Sequence, residues 1–192
     1  SFARNWYYVN LTFNDTNPDA CIFEVSNTNV SMTRSGSICS INRTSQSDAS
    51  YTYKVYVNDT VGNTAASSSR TITLDNVAPT ITLASPVNQV YGSSTVDLKV
   101  KANETISVWS YSLNGAANVS FTPNTTISAA AGSNTLYVYA NDSARNTGTA
   151  SVSFTVDTAA PASLTFVSPT ESDASSFARN WYYVNLTFND TN

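Results

Sequence analysis

The chain has 192 residues, of which 41% are hydrophobic and only 11% charged, and it contains no histidine. The lack of histidine excludes a Ser-His-Asp triad, a Cys-His dyad, a zinc site of the usual histidine type and an imidazole proton shuttle. We therefore expect no enzymatic activity. A net charge of −4 disfavours nucleic acids and anionic membranes, which require a basic face.

Neither a membrane span nor a secretion signal is evident in the sequence. The longest apolar runs are shorter than the roughly 18 residues that cross a bilayer. The first residues also lack the apolar core of a signal peptide, and we read the chain as a mature product or an excerpt. Ser, Thr and Asn make up 77 residues, yet 11% of the chain is aromatic, which disfavours disorder and indicates a polar-faced β protein.

Apolar residues alternate with polar ones along the chain. The pattern is clear in residues 9–13, 96–100 and 136–140, and each predicts a strand with one buried face. No stretch shows a 3.6-residue period, so no helix is predicted. Trp109 is expected in the core on one of the intervening strands, and Cys21, Phe23 and Val25 are expected to take the equivalent place earlier in the chain.

Two internal repeats organise these strands. Residues 1–17 recur without change at 176–192, which gives a period of 175 residues. A weaker period of 82 to 83 residues lies inside the first and indicates two related domains in each 175-residue unit. The matching segments are YKVYVNDTVGNT (53–64) and LYVYANDSARNT (136–147), LDNVAP (74–79) and VDTAAP (156–161), and TLASP (82–86) and TFVSP (165–169).

These motifs resemble the tandem immunoglobulin-like domains of bacterial and archaeal surface proteins. The resemblance rests on the alternating strands, the V-x-x-N-D-x-x-x-N stretch on a late strand and the closing D-x-x-A-P linker. It implies an all-β fold with two immunoglobulin-like antiparallel sandwiches per repeat. We predict an immunoglobulin-like domain lacking its first strand at 1–79, a complete domain at 80–161, and the first two strands of the next domain at 162–192.

The order of the strands predicts how copies assemble. In the complete domain the first strand is residues 81–85, and its counterpart for the other domain is residues 164–168. We therefore predict that a strand from the adjacent repeat completes the first domain, so that identical copies join head to tail in an open filament. The strand could come from the same long polypeptide or from a separate subunit by donor-strand exchange. The exact overlap of the two ends favours the covalent array.

Acceptor triplets for N-linked glycans, Asn-x-Ser/Thr, are the most specific chemical signal. Chance alone would give about six such triplets in a chain this rich in Asn, Ser and Thr, and the alternative is that these residues only form turns. The predicted acceptors are Asn10, Asn14, Asn29, Asn42, Asn58, Asn103, Asn118, Asn124, Asn141, Asn185 and Asn189.

Two further sets of residues are candidate sites. Cys21 and Cys39 are the only cysteines and are predicted to form a disulfide, with buried free thiols as the alternative. Tandem immunoglobulin-like adhesins place Ca²⁺ at domain joints, which makes four aspartates candidate ligands here. The sequence has no dense Asp-x-Asp run, so turn formation is favoured, and neither a metal nor another cofactor is expected. The four are Asp59, Asp75, Asp142 and Asp157.

The sequence therefore predicts a structural protein of the cell surface: the repeat unit of an extracellular, glycosylated filament or stalk. The alternative is a surface adhesin, in which an exposed aromatic such as Tyr91, Tyr137 or Tyr139 binds a carbohydrate. A third interpretation, an accessory module of a secreted enzyme, requires a catalytic region elsewhere in the gene.

Overall fold

The computed structural model describes residues 1–170, 172–176 and 178–189. Within this part of the chain every regular element is a β-strand, as the period-two patterns predict. The chain divides into two compact units. The first comprises residues 1–81, 102–110 and 139–149, and the second comprises 82–101, 111–138 and the described part of 150–192. The predicted domain boundaries at residues 79 and 161 stay predictions.

Eighteen strands occur within the described residues. The first eight are β1 (Tyr7–Thr12), β2 (Pro18–Val25), β3 (Thr28–Ser31), β4 (Thr33–Ser35), β5 (Ile38–Arg43), β6 (Ala49–Asp59), β7 (Thr64–Ala66) and β8 (Arg70–Leu74). The next eight are β9 (Ile81–Ser85), β10 (Val90–Tyr91), β11 (Thr95–Ala102), β12 (Val108–Leu113), β13 (Val119–Phe121), β14 (Thr125–Ser128), β15 (Gly132–Asn141) and β16 (Thr147–Val156). The last two are β17 (Ala162–Phe166) and β18 (Leu186–Asn189).

Strands β1–β8 form two sheets. One has the order β1-β5-β4, and the other has the order β3-β2-β6-β7, with β8 also paired to β6. Strand β1 runs antiparallel to β5, from Tyr7 opposite Arg43 to Thr12 opposite Ile38. This division of antiparallel strands between two sheets is that of an immunoglobulin-like sandwich. Among the described strands, β5 is the only partner of β1, so β1 is an edge strand.

The alternating side chains of these strands build the core of the first unit. Tyr7 and Phe23 are fully buried with their ring centroids 6.3 Å apart, and Val9, Val25 and Val55 pack in the same cluster. The predicted disulfide between Cys21 of β2 and Cys39 of β5 is present and joins the two sheets. The core therefore follows the period-two pattern that the sequence shows.

Strands β9–β16 also form two sheets, with the orders β14-β11-β9 and β10-β16-β15-β12-β13. The residues of β11 alternate between buried and exposed, with Val96, Leu98 and Val100 buried. Trp109 of β12 is half-buried, whereas the sequence predicts a core position, and Ser112 is the buried residue of that strand. Strand β9 pairs with β11 and is an edge strand of its sheet.

Strands β17 and β18 form a two-stranded antiparallel sheet. Phe166 lies opposite Leu186, and Thr165 lies opposite Thr187. Because β18 belongs to the segment 176–192, which copies residues 1–17, Leu186 and Thr187 are the copies of Leu11 and Thr12. Among the described residues, no helix has the length and hydropathy needed to cross a bilayer.

Candidate functional site

An acidic cluster lies in the first unit. It consists of Asp75, Glu104 and Asp142, and one carboxylate oxygen of each lies within 4.8 Å of the others. Asp75 directly follows β8, Glu104 lies two residues after the end of β11, and Asp142 directly follows β15. The cluster thus joins the ends of three strands that are far apart in sequence.

A tight turn holds Asp142 in place. The backbone N–H and the side-chain Nδ2 of Asn146 donate to the two carboxylate oxygens of Asp142 at 2.9 Å and 2.7 Å. The same Nδ2 also donates to the carbonyl oxygen of Asp75 at 2.9 Å. Asp142 is 3% exposed, and this burial opposes its ionisation. The hydrogen bonds from Asn146 and the following backbone outweigh burial and lower the pKa of Asp142.

The pKa of Glu104 is shifted in the opposite direction to that of Asp142. Burial, followed by the negative charges of Asp142 and Asp75, raises the pKa of Glu104. Three carboxylates at this distance repel one another when all are ionised. The repulsion is relieved either by protonation of Glu104 or by a cation bound between the three groups.

The donor atoms of the cluster suit a hard cation. Ca²⁺ takes six to eight oxygen ligands, and Asp75, Glu104 and Asp142 could each supply at least one. Both oxygens of Asp142 already accept hydrogen bonds from Asn146, and Oδ1 of Asp75 accepts from the backbone N–H of Val77 at 3.2 Å. The three carboxylates can therefore form part of a coordination shell, and backbone carbonyls and water would have to complete it.

The other two candidate aspartates lie outside this cluster. Asp59 closes a turn after β6, where its oxygens accept from the N–H of Val61 at 3.0 Å and from the side chain of Asn63 at 2.6 Å. Asp157 accepts from the N–H of Ala159 at 2.9 Å. Both therefore take part in turns. Sequence reasoning missed Glu104, because no spacing motif links it to Asp75 and Asp142.

A groove runs along the open edge of β1, inside the first unit. One part, about 340 Å³, is lined by Leu11 and Phe13 on one side and by Val55 and Val57 of β6 on the other, with residues 64–67 at its rim. The adjoining part, about 380 Å³, continues along β1 as far as Tyr8 and is bordered by Ser67, Ser68 and Arg70. The groove therefore lies between the unpaired edge of β1 and the opposite sheet.

Comparison with solved structures gives partial similarities to sandwich domains. The fibronectin(III)-like modules of Clostridium thermocellum CbhA are 18% identical over 81% of this chain and 87% of theirs, with a TM-score of 0.47. The amphioxus IgVJ-C2 molecule is 14% identical over 81% of this chain and 98% of its own, with a TM-score of 0.45. A 1.5-MDa bacterial ice-binding adhesin is 18% identical over 86% of this chain and 62% of its own, with a TM-score of 0.43.

The chain has an immunoglobulin-like fold. The strand order alone carries this assignment, because the similarities to solved structures are too distant to contribute to it. No protein-family model matches the sequence, and no curated protein is significantly similar to it.

Most of the predicted glycan acceptors lie on the surface of this immunoglobulin-like chain. Asn58 and Asn141, which occupy equivalent positions, are half-buried, and Oδ1 of Asn58 accepts from the hydroxyl of Thr64 at 3.1 Å. The side chain of Asn189 lies outside the described residues, as do residues 190 and 191 of its triplet. The exposed acceptors are Asn10, Asn14, Asn29, Asn42, Asn103, Asn118, Asn124 and Asn185.

Proposed function

We propose that the chain is the repeat unit of an extracellular filament built from tandem immunoglobulin-like domains. The open edge of β1 carries this proposal. In the sandwich of β9–β16 the equivalent edge is covered by β9, whereas no described strand pairs with the outer side of β1. An exposed strand edge presents unpaired N–H and C=O groups and favours pairing with another strand.

The repeated segment supports the proposal. Residues 176–192 reproduce residues 1–17, and their strand β18 pairs with β17. A strand equivalent to β17 can therefore cover β1 in a neighbouring unit. A contact between different parts of successive copies generates an open filament when it does not close into a ring. The copies are joined in one polypeptide in the covalent version of the proposal, and by strand exchange in the other.

An extracellular location is also part of the proposal. The Cys21–Cys39 disulfide is typical of oxidising compartments. Eight of the eleven acceptor triplets present an exposed asparagine, and glycans on them would add bulk and hydration to a surface with few charges. Mass spectrometry of intact glycopeptides from the native source tests this part, and unmodified asparagines at all of these sites would contradict it.

Cryo-electron microscopy of the native assembly, combined with the mass of its denatured subunits, tests the filament. We expect every β1 to carry an additional antiparallel strand from a neighbouring unit. Continuous backbone density and a denatured mass of several repeats would establish the covalent array, whereas a species near 20.6 kDa before glycans would establish strand exchange. Single globular particles with β1 uncovered would contradict the filament itself.

We propose further that the acidic cluster binds Ca²⁺. Asp75, Glu104 and Asp142 supply the oxygen ligands, and the cation would neutralise their mutual repulsion. Isothermal calorimetry of the chain with Ca²⁺, before and after Glu104→Gln, tests this assignment. We expect binding that weakens in the variant, and no heat of binding in either protein would contradict it.

The second candidate function is that of an adhesin. Tyr137 is 42% exposed on β15, and Trp6 and Tyr8 are exposed in the first unit, so aromatic faces are available for stacking on sugars. The guanidinium of Arg4 already lies 4.3 Å from the ring centroid of Trp6, so one face of that ring is occupied. Glycan-array binding that is lost in Tyr137→Ala would favour this function over a purely structural one.

A further inference from the structure

The groove beside β1 has the features of a site that a strand should fill. Leu11 and Phe13 are only half-buried, although they continue the alternation that buries Tyr7 and Val9. Strand β9 covers one edge of β11, and both Leu98 and Val100 of β11 are buried. The exposure of Leu11 and Phe13 therefore coincides with the absence of a strand at their edge in the described structure.

We infer that the groove is the binding site for β17 of a second copy, with Phe166 opposite Leu11 and Thr165 opposite Thr12. This register rests on the chain itself, because β17 pairs in this way with Leu186 and Thr187 of β18, and these two residues are the copies of Leu11 and Thr12 at the end of β1. The inference deepens the proposed function and rests on it for the identity of the partner.

The faces of the two strands agree with this register. Residues directly opposite each other in an antiparallel pair lie on the same face of the sheet. Leu11 packs against the core cluster, so Phe166 opposite it points inward, and Thr165 opposite the exposed Thr12 points to solvent. A slip of one residue would bury Thr165 and expose Phe166. The alternation of β17 thus selects the register that the β17–β18 pair displays.

The side chains of β17 supply the apolar surface that the groove requires. Leu164 and Phe166 are 64% and 69% exposed, which is unusual for large apolar residues that alternate along a strand. Their counterparts at the 83-residue offset, Ile81 and Leu83, are half-buried in β9. Transfer of Leu164 and Phe166 into the groove would remove their apolar surface from water and would also cover the half-buried Leu11 and Phe13.

Binding of a synthetic peptide, residues 162–170, to the intact chain tests the inference without altering the protein. We expect saturable binding by calorimetry, and slower amide exchange along β1. Burial of one large apolar side chain corresponds to about a tenfold change in affinity or more. Phe166→Asn or Leu164→Asn in the peptide should therefore weaken binding by at least about tenfold, while the matched Thr165→Ala peptide should bind as the original does. No binding, or equal binding by all peptides, would overturn the inference.

Disulfide trapping tests the register. A peptide carrying Thr165→Cys is mixed with the chain carrying Thr12→Cys or, as the matched control, Asn10→Cys, which is exposed on the same face of β1 two residues away. We expect the Thr12→Cys chain to be trapped several-fold faster. Equal or faster trapping of the Asn10→Cys chain would overturn the register. Near-ultraviolet circular dichroism and peptide binding before oxidation show that each variant is folded.

The outcomes separate this inference from the proposed function. A native filament in which a strand covers β1 in another register would retain the proposed function and overturn the inference. A native protein without filaments would contradict the proposed function. Binding of the peptide to the groove would still support or overturn the inference, because that experiment does not require a filament. Trapping of β17 on β1 of the same molecule, seen as a monomeric product of the Thr12→Cys, Thr165→Cys chain, would overturn the second copy as the partner.

Discussion

Asn146 donates through its side-chain Nδ2 to Oδ2 of Asp142 at 2.7 Å, and this contact recurs between Asn63 and Asp59 at 2.6 Å. Each pair closes the turn after a long strand, and the backbone N–H of each aspartate donates to the carbonyl of its asparagine. The N-D-x-x-x-N motif is therefore a turn motif that appears in both halves of the repeat. At Asp142 alone, the turn also forms one side of the acidic cluster.

Asp59→Asn should destabilise the chain at neutral pH but have less effect in acid. The hydrogen bond from the Asn63 side chain, followed by backbone N–H groups, lowers the pKa of Asp59, although partial burial opposes this. A carboxyl with a lowered pKa contributes stability above its unfolded-state pKa and loses it as the pH falls through the folded-state pKa. Thermal unfolding between neutral pH and pH 3 measures the difference. The exposed Asp19 provides the control, Asp19→Asn, and a pH-independent effect of Asp59→Asn would contradict the prediction.

At neutral pH, Glu104→Gln should not destabilise the chain as Asp59→Asn does. Its effect on stability should have the opposite sign and should likewise diminish in acid. Because burial and the charges of Asp142 and Asp75 raise the pKa of Glu104, the folded chain binds this proton more tightly than the unfolded chain does. Stability is then lost as the pH rises from the unfolded-state pKa through the folded-state pKa. In a chelating buffer at neutral pH we expect the glutamine variant to melt at or above the temperature of the parent chain, and the two melting curves to converge in acid.

Added Ca²⁺ should reverse the order of the melting temperatures of the parent chain and the Glu104→Gln variant. A ligand that binds only the folded state raises its stability by mass action, and the parent chain keeps all three carboxylates of the cluster. We expect the melting temperature of the parent chain to rise with Ca²⁺ concentration more than that of Glu104→Gln. Asp19→Asn again serves as the control, since Asp19 lies outside the cluster. Equal shifts in all three proteins would show that Ca²⁺ does not act through Glu104.

The sequence predicts the strands better than it predicts the acidic cluster. Alternation at residues 9–13 and 96–100 identifies buried faces, because a strand places successive side chains on opposite faces whatever its neighbours are. Glu104 meets Asp75 and Asp142 only through the tertiary fold, which no local period encodes. Trp109 is half-buried for a similar reason: the alternation of β12 does not determine which face the facing sheet covers, and Ser112 is buried instead.

Reduction of the Cys21–Cys39 disulfide should lower the free energy of unfolding by about 3 kcal/mol. The bond closes an 18-residue span, and a loop of this size restricts the unfolded chain by roughly that amount. Urea denaturation of the oxidised chain and of the Cys21→Ala, Cys39→Ala chain measures the change. Because both cysteines are buried, part of the loss in the variant comes from cavities, and reduced wild-type chain provides the control for it. An unchanged midpoint after complete reduction would contradict the prediction.

Asn134→Ala should destabilise the second unit although it removes only one small polar side chain. Asn134 is 1% exposed, and its Nδ2 donates to the carbonyls of Ala130 at 2.8 Å and Gly132 at 2.9 Å. Its Oδ1 accepts from Nδ2 of Asn114 at 2.9 Å. Removing the side chain leaves buried polar groups without these partners, which costs about 1–3 kcal/mol. Urea denaturation measures the loss, with Asn118→Ala as the control because Asn118 is exposed. If both variants unfold at the same midpoint as the parent chain, the Asn134 network does not stabilise the loop between β14 and β15.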